Sequence, residues 1–314
     1  MTKILILQGG FNEEHKVSLN TSKEIAKAFT KLKIKFKTLT VNPITFENDI
    51  LEYSNDHICF NALHGPFGED GKIQKILKRN KFKVTHSDQS SSSNCFNKIK
   101  SKEIISKHNI LTPKYDVIKI KDIDEKYLKN MKVKFRKFIL KPASSGSSNG
   151  LVMIKSNKDL LLFLKKIIKF KNSFKKNEKF LIEEYISGKE LTVSVIKNQL
   201  IYKPLEVTEI VSLNKTYDYQ AKYTKGFSKH FIPARITKQK HKQCLELSLK
   251  IHKIFKCNTL SRVDFILSKK ENKIYFLEIN SQPGMTKMSL LPEQAIFNKI
   301  KFESIVKELI NNSK

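Results

Sequence analysis

Two short stretches near the C-terminus place polar side chains between apolar ones at every second position. Val263, Phe265 and Leu267 are spaced two apart, with Asp264 between the first pair. Glu278 and Asn280 alternate with Leu277 and Ile279. Successive side chains of a strand point to opposite faces, so each stretch predicts a strand with one apolar and one oxygen-bearing face. If the two strands are antiparallel neighbours, Asp264, Glu278 and Asn280 converge. Hard oxygen ligands of this kind suit Mg²⁺ bound together with phosphate. A polar sheet face turned to solvent is the plain alternative. Leu191, Val193 and Val195 repeat the alternation upstream, and Ile274, Phe276 and Ile279 nearly keep it.

The N-terminal third has a different rhythm. Lys3–Leu7 reads as a buried strand ended by Gly9–Gly10, and Ile25, Ala28, Phe29 and Leu32 mark one face of a helix. Strands over Lys37–Val41 and His57–Asn61 follow. HGPFGEDG and a short helix with Ile73, Ile76 and Leu77 come next. This order predicts a parallel α/β unit ending near residue 90. Ser90–Ser93 read as a linker, followed by a helix over Phe96–His108 that Thr112–Pro113 stops. Residues 115–135 are charged and show no period. Phe138–Leu140 is a strand running into KPASSGSSNG, and Leu151–Ile154 is its return strand. A helix then carries Leu160, Leu161, Leu164, Ile167 and Ile168, with Asn157 as its N-cap. Phe180–Glu183 is a strand. Further helices carry Cys244, Leu247, Ile251 and Ile254, and Phe302, Ile305, Val306 and Leu309.

Composition sets outer bounds. A chain of 314 residues exceeds one typical domain. No apolar run approaches membrane-spanning length, and MTKILILQGG turns polar too soon for an export signal, so a cytoplasmic protein is expected. The four cysteines are scattered without a CxxC pair, as reduced core thiols would be. The formal charge of +30 suggests nucleic acid or an acidic surface as partner. Yet the lysines are spread over the whole chain, and tryptophan is absent beside abundant isoleucine and asparagine. That pattern fits a codon bias and a solvated lysine surface, which still favours anionic ligands such as nucleotides. Neither a GxxxxGKS/T loop nor GxGxxG is present. Phosphate therefore needs another grip. The SSGSSNG loop, with Lys141 at its base, can lay amides and hydroxyls over phosphate oxygens, although a flexible surface hairpin would look the same. Arg262, and backbone amides beside a tight turn at Gly284, would face negative charge near the acids.

Seven motifs in order make the chain resemble the D-alanine–D-alanine ligases of the ATP-grasp superfamily. They are GGFNEEHKVSLN (9–20), HGPFGEDG (64–71), KPASSGSSNG (141–150), LIEEYISGKELTV (181–193), YDYQAKY (217–223), RVDF (262–265) and LEINSQPGMTKMSL (277–290). The resemblance implies an α/β ATP-grasp fold with an N-terminal parallel α/β domain over 1–93. A central ATP-grasp domain over 94–184 and a C-terminal one over 185–314 with the metal site would follow. It implies ATP and two Mg²⁺ ions (or Mn²⁺) as cofactors, D-alanine as substrate and a homodimer, with no membrane or nucleic acid as partner. Lys98 and Lys141 would contact ATP, and Ser147 and Ser148 would lie in the covering loop. Glu183 and Glu190 would hold adenine-side and ribose-side groups. Lys222 and Tyr223 would come from a closing loop. Asp264, Glu278 and Asn280 would bind the metals, and Arg262 and the Gly284 amide would stabilise an oxyanion. Ser289 and Leu290 would meet the second substrate's carboxylate, with His64 near the first substrate. The implied reaction forms D-alanyl-D-alanine through an acyl phosphate, for peptidoglycan precursor synthesis. A ligase for a different amino or hydroxy acid is the alternative; a basic nucleotide- or nucleic-acid-binding protein on the same scaffold is another.

The chain departs from the family pattern at three places. Lys16 stands where a glutamate usually precedes the valine–serine of the first motif, and it would repel the ammonium of the first substrate. Glu14 is a candidate substitute. Met288 replaces a common histidine, and Gln220 stands where an acid is frequent. All three bear on substrate choice and leave the phosphate and metal chemistry intact.

Overall fold

The computed structural model describes residues 3–147, 149–212 and 228–314. Three sheets organise them. The first is parallel, in the order β2 (Phe36–Val41), β1 (Lys3–Gly9), β3 (His57–Asn61), β4 (Lys83–Val84). Helices α1 (His15–Lys31) and α3 (Lys72–Arg79) complete its crossovers, with the short α2 (Phe46–Asp49) between β2 and β3. β1 is apolar on both faces because both are covered, as parallel strands require. Ile4 and Ile6 pack on Ile25 and Phe29 of α1, while Leu5 and Leu7 pack on Phe46, Ile73 and Leu77. Each such side chain taken from water contributes about 1.5–3 kcal/mol.

The four serines form no linker. They lie in α4 (Gln89–Phe96), which Asp88 caps by accepting the Ser91 N–H at 2.8 Å. Ser91 and Ser92 are buried, and their hydroxyls donate to the carbonyls of Lys256 and Ser87. Serine suits such a position because a small hydroxyl can satisfy a neighbouring carbonyl inside a packed interface. α5 (Lys98–Lys107) follows at once, with Asn97 as its cap.

The second sheet is antiparallel, in the order β5 (Tyr115–Lys119), β8 (Lys179–Glu184), β6 (Phe138–Pro142), β7 (Val152–Ile154). The unpatterned stretch 115–135 holds β5 and then α6 (Glu125–Phe135), capped by Asp124. Its charged residues hid the pattern because only Leu128 and Met131 of α6 are buried. The expected helix after β7 is two, α7 (Asn157–Leu164) and α8 (Ile167–Asn172), and the cap is Ser156. Ser156 and Asp159 form a reciprocal capping box, which Asn157 is one residue too late to make. Leu161 and Ile168 are exposed.

The third sheet is antiparallel, in the order β12 (Ser228–Phe231), β11 (Thr208–Ser212), β9 (Gly188–Asn198), β13 (Leu260–Ser268), β14 (Ile274–Asn280), and β10 (Ile201–Pro204) also pairs with β9. Helix Lys238–Ile254 covers one face through Cys244 and Ile251. The C-terminal helix Phe302–Asn311 joins the sheets by burying Ile305, Val306 and Leu309 with Ile4 and Phe29 on one side and Ile196 and Leu260 on the other.

Candidate functional site

The two acidic strands are neighbours. Asp264 lies directly opposite Glu278, and Arg262 opposite Asn280, so these polar side chains share one sheet face. A β-bulge between Asp264 and Phe265 leaves Leu277 without a partner. That extra residue explains why the apolar positions step from Phe276 to Ile279 in three rather than two. Behind this face Val263, Phe265 and Ile279 enter the core. Asp264 accepts hydrogen bonds from Thr192 of β9 at 2.6 Å and from both ends of the Arg262 guanidinium at 2.9 and 2.8 Å. Asn280 Oδ1 accepts the Gln282 N–H at 2.7 Å.

A cavity of about 400 Å³ opens over this face, and all three sheets contribute to it. Glu14 and His64 come from the loops after β1 and β3, the carboxyl ends of the parallel strands, where such sheets bind ligands. The β6–β7 hairpin contributes Lys141 and Ser147, β8 contributes Glu183, and β9 contributes Glu190. Lys98, at the start of α5, lines the same space with Arg262, Asp264, Glu278, Asn280, Gly284 and Leu290. Ser289 lines a neighbouring space instead. Ser148, Lys222, Tyr223 and Gln220 lie outside the described residues.

Charge is tightly organised on the hairpin side. Glu183 is fully buried and holds two ammonium groups, one on each carboxylate oxygen: Lys102 on Oε1 and Lys141 on Oε2. Burial alone would raise the Glu183 pKa, but the two lysines outweigh it and hold the carboxyl below its usual range. Burial drags the Lys102 ammonium down to about 8, against the pull of Glu183 and with the push of Lys141. For Lys141 burial also acts downward, yet Glu183 and then Glu278 outweigh it and its pKa is raised. Lys141 is thus kept charged at the cavity wall. Lys98 donates to the Ser145 carbonyl at 2.8 Å and lies 3.5 Å from Glu278.

Lys102 escaped the sequence reading. It stands one helical turn after Lys98, a usable hint, but its partner Glu183 is on another element. Its ammonium also meets the Thr112 hydroxyl at 2.5 Å, and that hydroxyl donates to the Phe276 carbonyl of β14. Lys102 therefore ties the second sheet to the third.

Two expectations are corrected at the substrate side. Lys16 is exposed and does not line the 400 Å³ cavity. Glu14 does: it is buried and its carboxylate accepts a hydrogen bond from the Ser147 hydroxyl. α1 begins at His15, so residues 14 and 16 leave it in different directions. Gly284 lies outside the expected tight turn, which falls instead at Lys287–Met288. A Cβ at Gly284 would come within 2.7 Å of Ser289 Oγ, so a larger residue would push that hydroxyl aside. His64 is buried, bonded to Thr21 at 2.8 Å and to Glu69 at 3.2 Å.

Two antiparallel sheets facing each other across a cavity lined with lysines and acids, beside a parallel α/β unit, define an ATP-grasp protein. Solved structures agree: a D-alanine–D-alanine ligase from Bacillus anthracis complexed with ATP superposes with a TM-score of 0.79 at 26% identity, covering 99% of this chain and 96% of that one. The family described as D-ala D-ala ligase C-terminus matches residues 104–311. A D-alanine–D-alanine ligase of Wolbachia pipientis wMel is 40% identical over 311 residues, 99% of this chain and 94% of its own length. One from Carboxydothermus hydrogenoformans is 34% identical over 319 residues, 98% of this chain and 97% of its own length. The chain belongs to the D-alanine–D-alanine ligase family. Among the described residues, no helix is long and apolar enough to cross a membrane.

Proposed function

We propose that this protein joins two D-alanines at the expense of ATP. The observation that carries the reading is the meeting, in one cavity, of Lys98 and Lys141 with the Asp264–Glu278 pair and with Arg262 beside Gly284. A carboxylate oxygen of the first D-alanine attacks the γ-phosphorus of ATP. The bond to the β,γ-bridging oxygen breaks and ADP leaves. The amine nitrogen of the second D-alanine then attacks the acyl carbon, the carbon–oxygen bond to phosphate breaks, and the nitrogen gives up a proton. Lys141 and Lys98 offset the charge of the moving phosphoryl group. Arg262 and the Gly284 amide match charge developing on the acyl oxygen. Glu14 and His64 suit the first substrate, Ser289 and Leu290 the second. Glu190 suits the ribose side. Glu183 acts through the two lysines it holds, which fits a positioning role better than direct contact with adenine.

Asp264, Glu278 and Asn280 fit Mg²⁺ by donor chemistry. Among the described residues no three His, Cys, Asp or Glu side chains cluster for a metal. An ion at this pair would take further ligands from phosphate oxygens and water, the usual mode for Mg²⁺. Bound there, it would offset negative charge on the phosphates. The three domains 1–93, 94–184 and 185–314, the homodimer and the cytoplasmic location belong to the same proposal; light scattering of the purified chain reads the oligomer.

Phosphate release from ATP and Mg²⁺ is measured with and without D-alanine, and the product is weighed by mass spectrometry. Release that requires D-alanine, with D-alanyl-D-alanine formed, is expected. ATP binding without D-alanine-dependent release, or a product from another acid, would replace the substrate in this reading.

A further inference from the structure

A second cavity, of about 420 Å³, adjoins the first. Arg262, Gly284 and Leu290 line both, so these residues form the wall the two spaces share. One side of the second cavity is the segment from Thr286 to Ser289. The other is α1, through Lys16, Asn20, Lys23 and Lys27. Steps of four, three and four residues keep those positions on one helix face. The apolar positions Ile25, Ala28 and Phe29 are turned into the core, while buried Val17 lies at the floor of the groove. Lys287 adds a fourth lysine from the opposite side. Glu24 is the one acid among the described lining residues, and it lies 2.7 Å from Lys27. Lys16, Lys23 and Lys287 make no ion pair among the described residues.

We infer that this lysine-lined groove is the route by which the second amino acid reaches the acyl group, and that it selects a substrate with a free carboxylate. The inference rests on the ligation proposed above. The attacking amine must be neutral, so the competent form of the second substrate carries a net negative charge on its carboxylate. A concave surface lined by one sign of charge concentrates the opposite sign within it. The same charge disfavours an ammonium there. The groove ends at Arg262 and Gly284, where the acyl oxygen would sit. None of its four lysines lines the first cavity. They therefore act on the second substrate and leave ATP and the first substrate alone. Lys16 acquires a role in this reading that its exposed position on α1 allows.

The test resolves two Michaelis constants for D-alanine from initial rates at saturating ATP, over a range of KCl. For the wild-type protein, kcat/KM for the second D-alanine is expected to fall as salt rises. K16E/K23E/K27E is expected to raise the second KM about tenfold or more, with kcat and the first KM within about twofold. Its salt dependence is lost, and K16Q/K23Q/K27Q lies between. Circular dichroism and the thermal midpoint check folding. K242E/K250E/K253E, an equal reversal on the helix Lys238–Ile254, is expected to leave both constants unchanged. Ligation with an unchanged second KM in K16E/K23E/K27E, or an equal rise in the control reversal, overturns the groove alone. A wild-type protein with no D-alanine-dependent phosphate release overturns the ligase reading and this inference with it.

Discussion

Ser147 and Glu14, 133 residues apart in sequence, share a hydrogen bond in which the serine hydroxyl donates to the carboxylate. The contact joins the hairpin of the second sheet to the first loop of the parallel sheet. Gly65 and Gly146 leave the room: a Cβ at Gly65 would come within 2.5 Å of Glu14 Oε2, and one at Gly146 would collide with the same carboxylate. Glu14→Ala is expected to lower kcat/KM for the first D-alanine about 100-fold, equivalent to about 2.7 kcal/mol. Gly146→Ala should act in the same direction, with circular dichroism unchanged. Steady-state kinetics check both, and an unimpaired Glu14→Ala enzyme would remove Glu14 from the site.

Lys102 leaves the Lys141 charge in surplus. With two ammonium groups on one carboxylate, the cluster keeps a net positive charge. Lys102→Met would leave Lys141 neutralised by Glu183 alone. The KM for ATP is expected to rise about tenfold, or about 1.4 kcal/mol, although Lys102 does not line the cavity. Breaking a buried ion pair also costs about 3–5 kcal/mol, so the thermal midpoint should drop, and Lys102→Met/Glu183→Gln should recover part of it.

Asp264 is expected to be required for metal-dependent turnover. Asp264→Asn keeps the shape that accepts from Thr192 but removes the charge that Arg262 and a divalent cation share. Turnover should fall about 100-fold or more, about 2.7 kcal/mol. Chelation should stop the wild-type protein and excess Mg²⁺ should restore it. Rates that ignore both chelator and Asp264→Asn would argue against a metal at this pair.

His252 makes the fold sensitive to acid. It is buried on the helix Lys238–Ile254, its Nδ1 2.8 Å from the Ser261 hydroxyl, and its Nε2 has no hydrogen-bond partner among the described residues. Burial pushes its pKa down from 6.5 to about 4. Below pH 6.5 the unfolded chain takes up this proton and the folded chain does not, so unfolding binds protons and stability falls as pH falls. This contribution is whole above about pH 6.5 and about 3 kcal/mol is lost by about pH 4. Urea midpoints across that window measure it. His252→Asn should flatten the slope.

Much of the site was legible because its chemistry is local. The Asp264, Glu278 and Asn280 face follows from period-two alternation, and the hairpin from two short strands around small residues. Lys16 was misjudged because linear spacing next to a helix start does not say which of two residues faces the cavity. The four serines looked like a linker because hydroxyl composition is the same in a loop and in a buried helix whose carbonyl partners, such as Lys256, are far away in sequence.

The sequence by itself determined the kinds of strand and helix, the order of the seven motifs, and the oxygen and lysine groups available for phosphate. These rest on side-chain type and spacing, which a chain carries before it folds. Only the tertiary structure decided that Lys102 and Lys141 share Glu183, that Glu14 meets Ser147, and that lysines of α1 line a second cavity behind Arg262 and Gly284. Each of these joins different elements, so each depends on how the sheets and helices pack, and no local period encodes that.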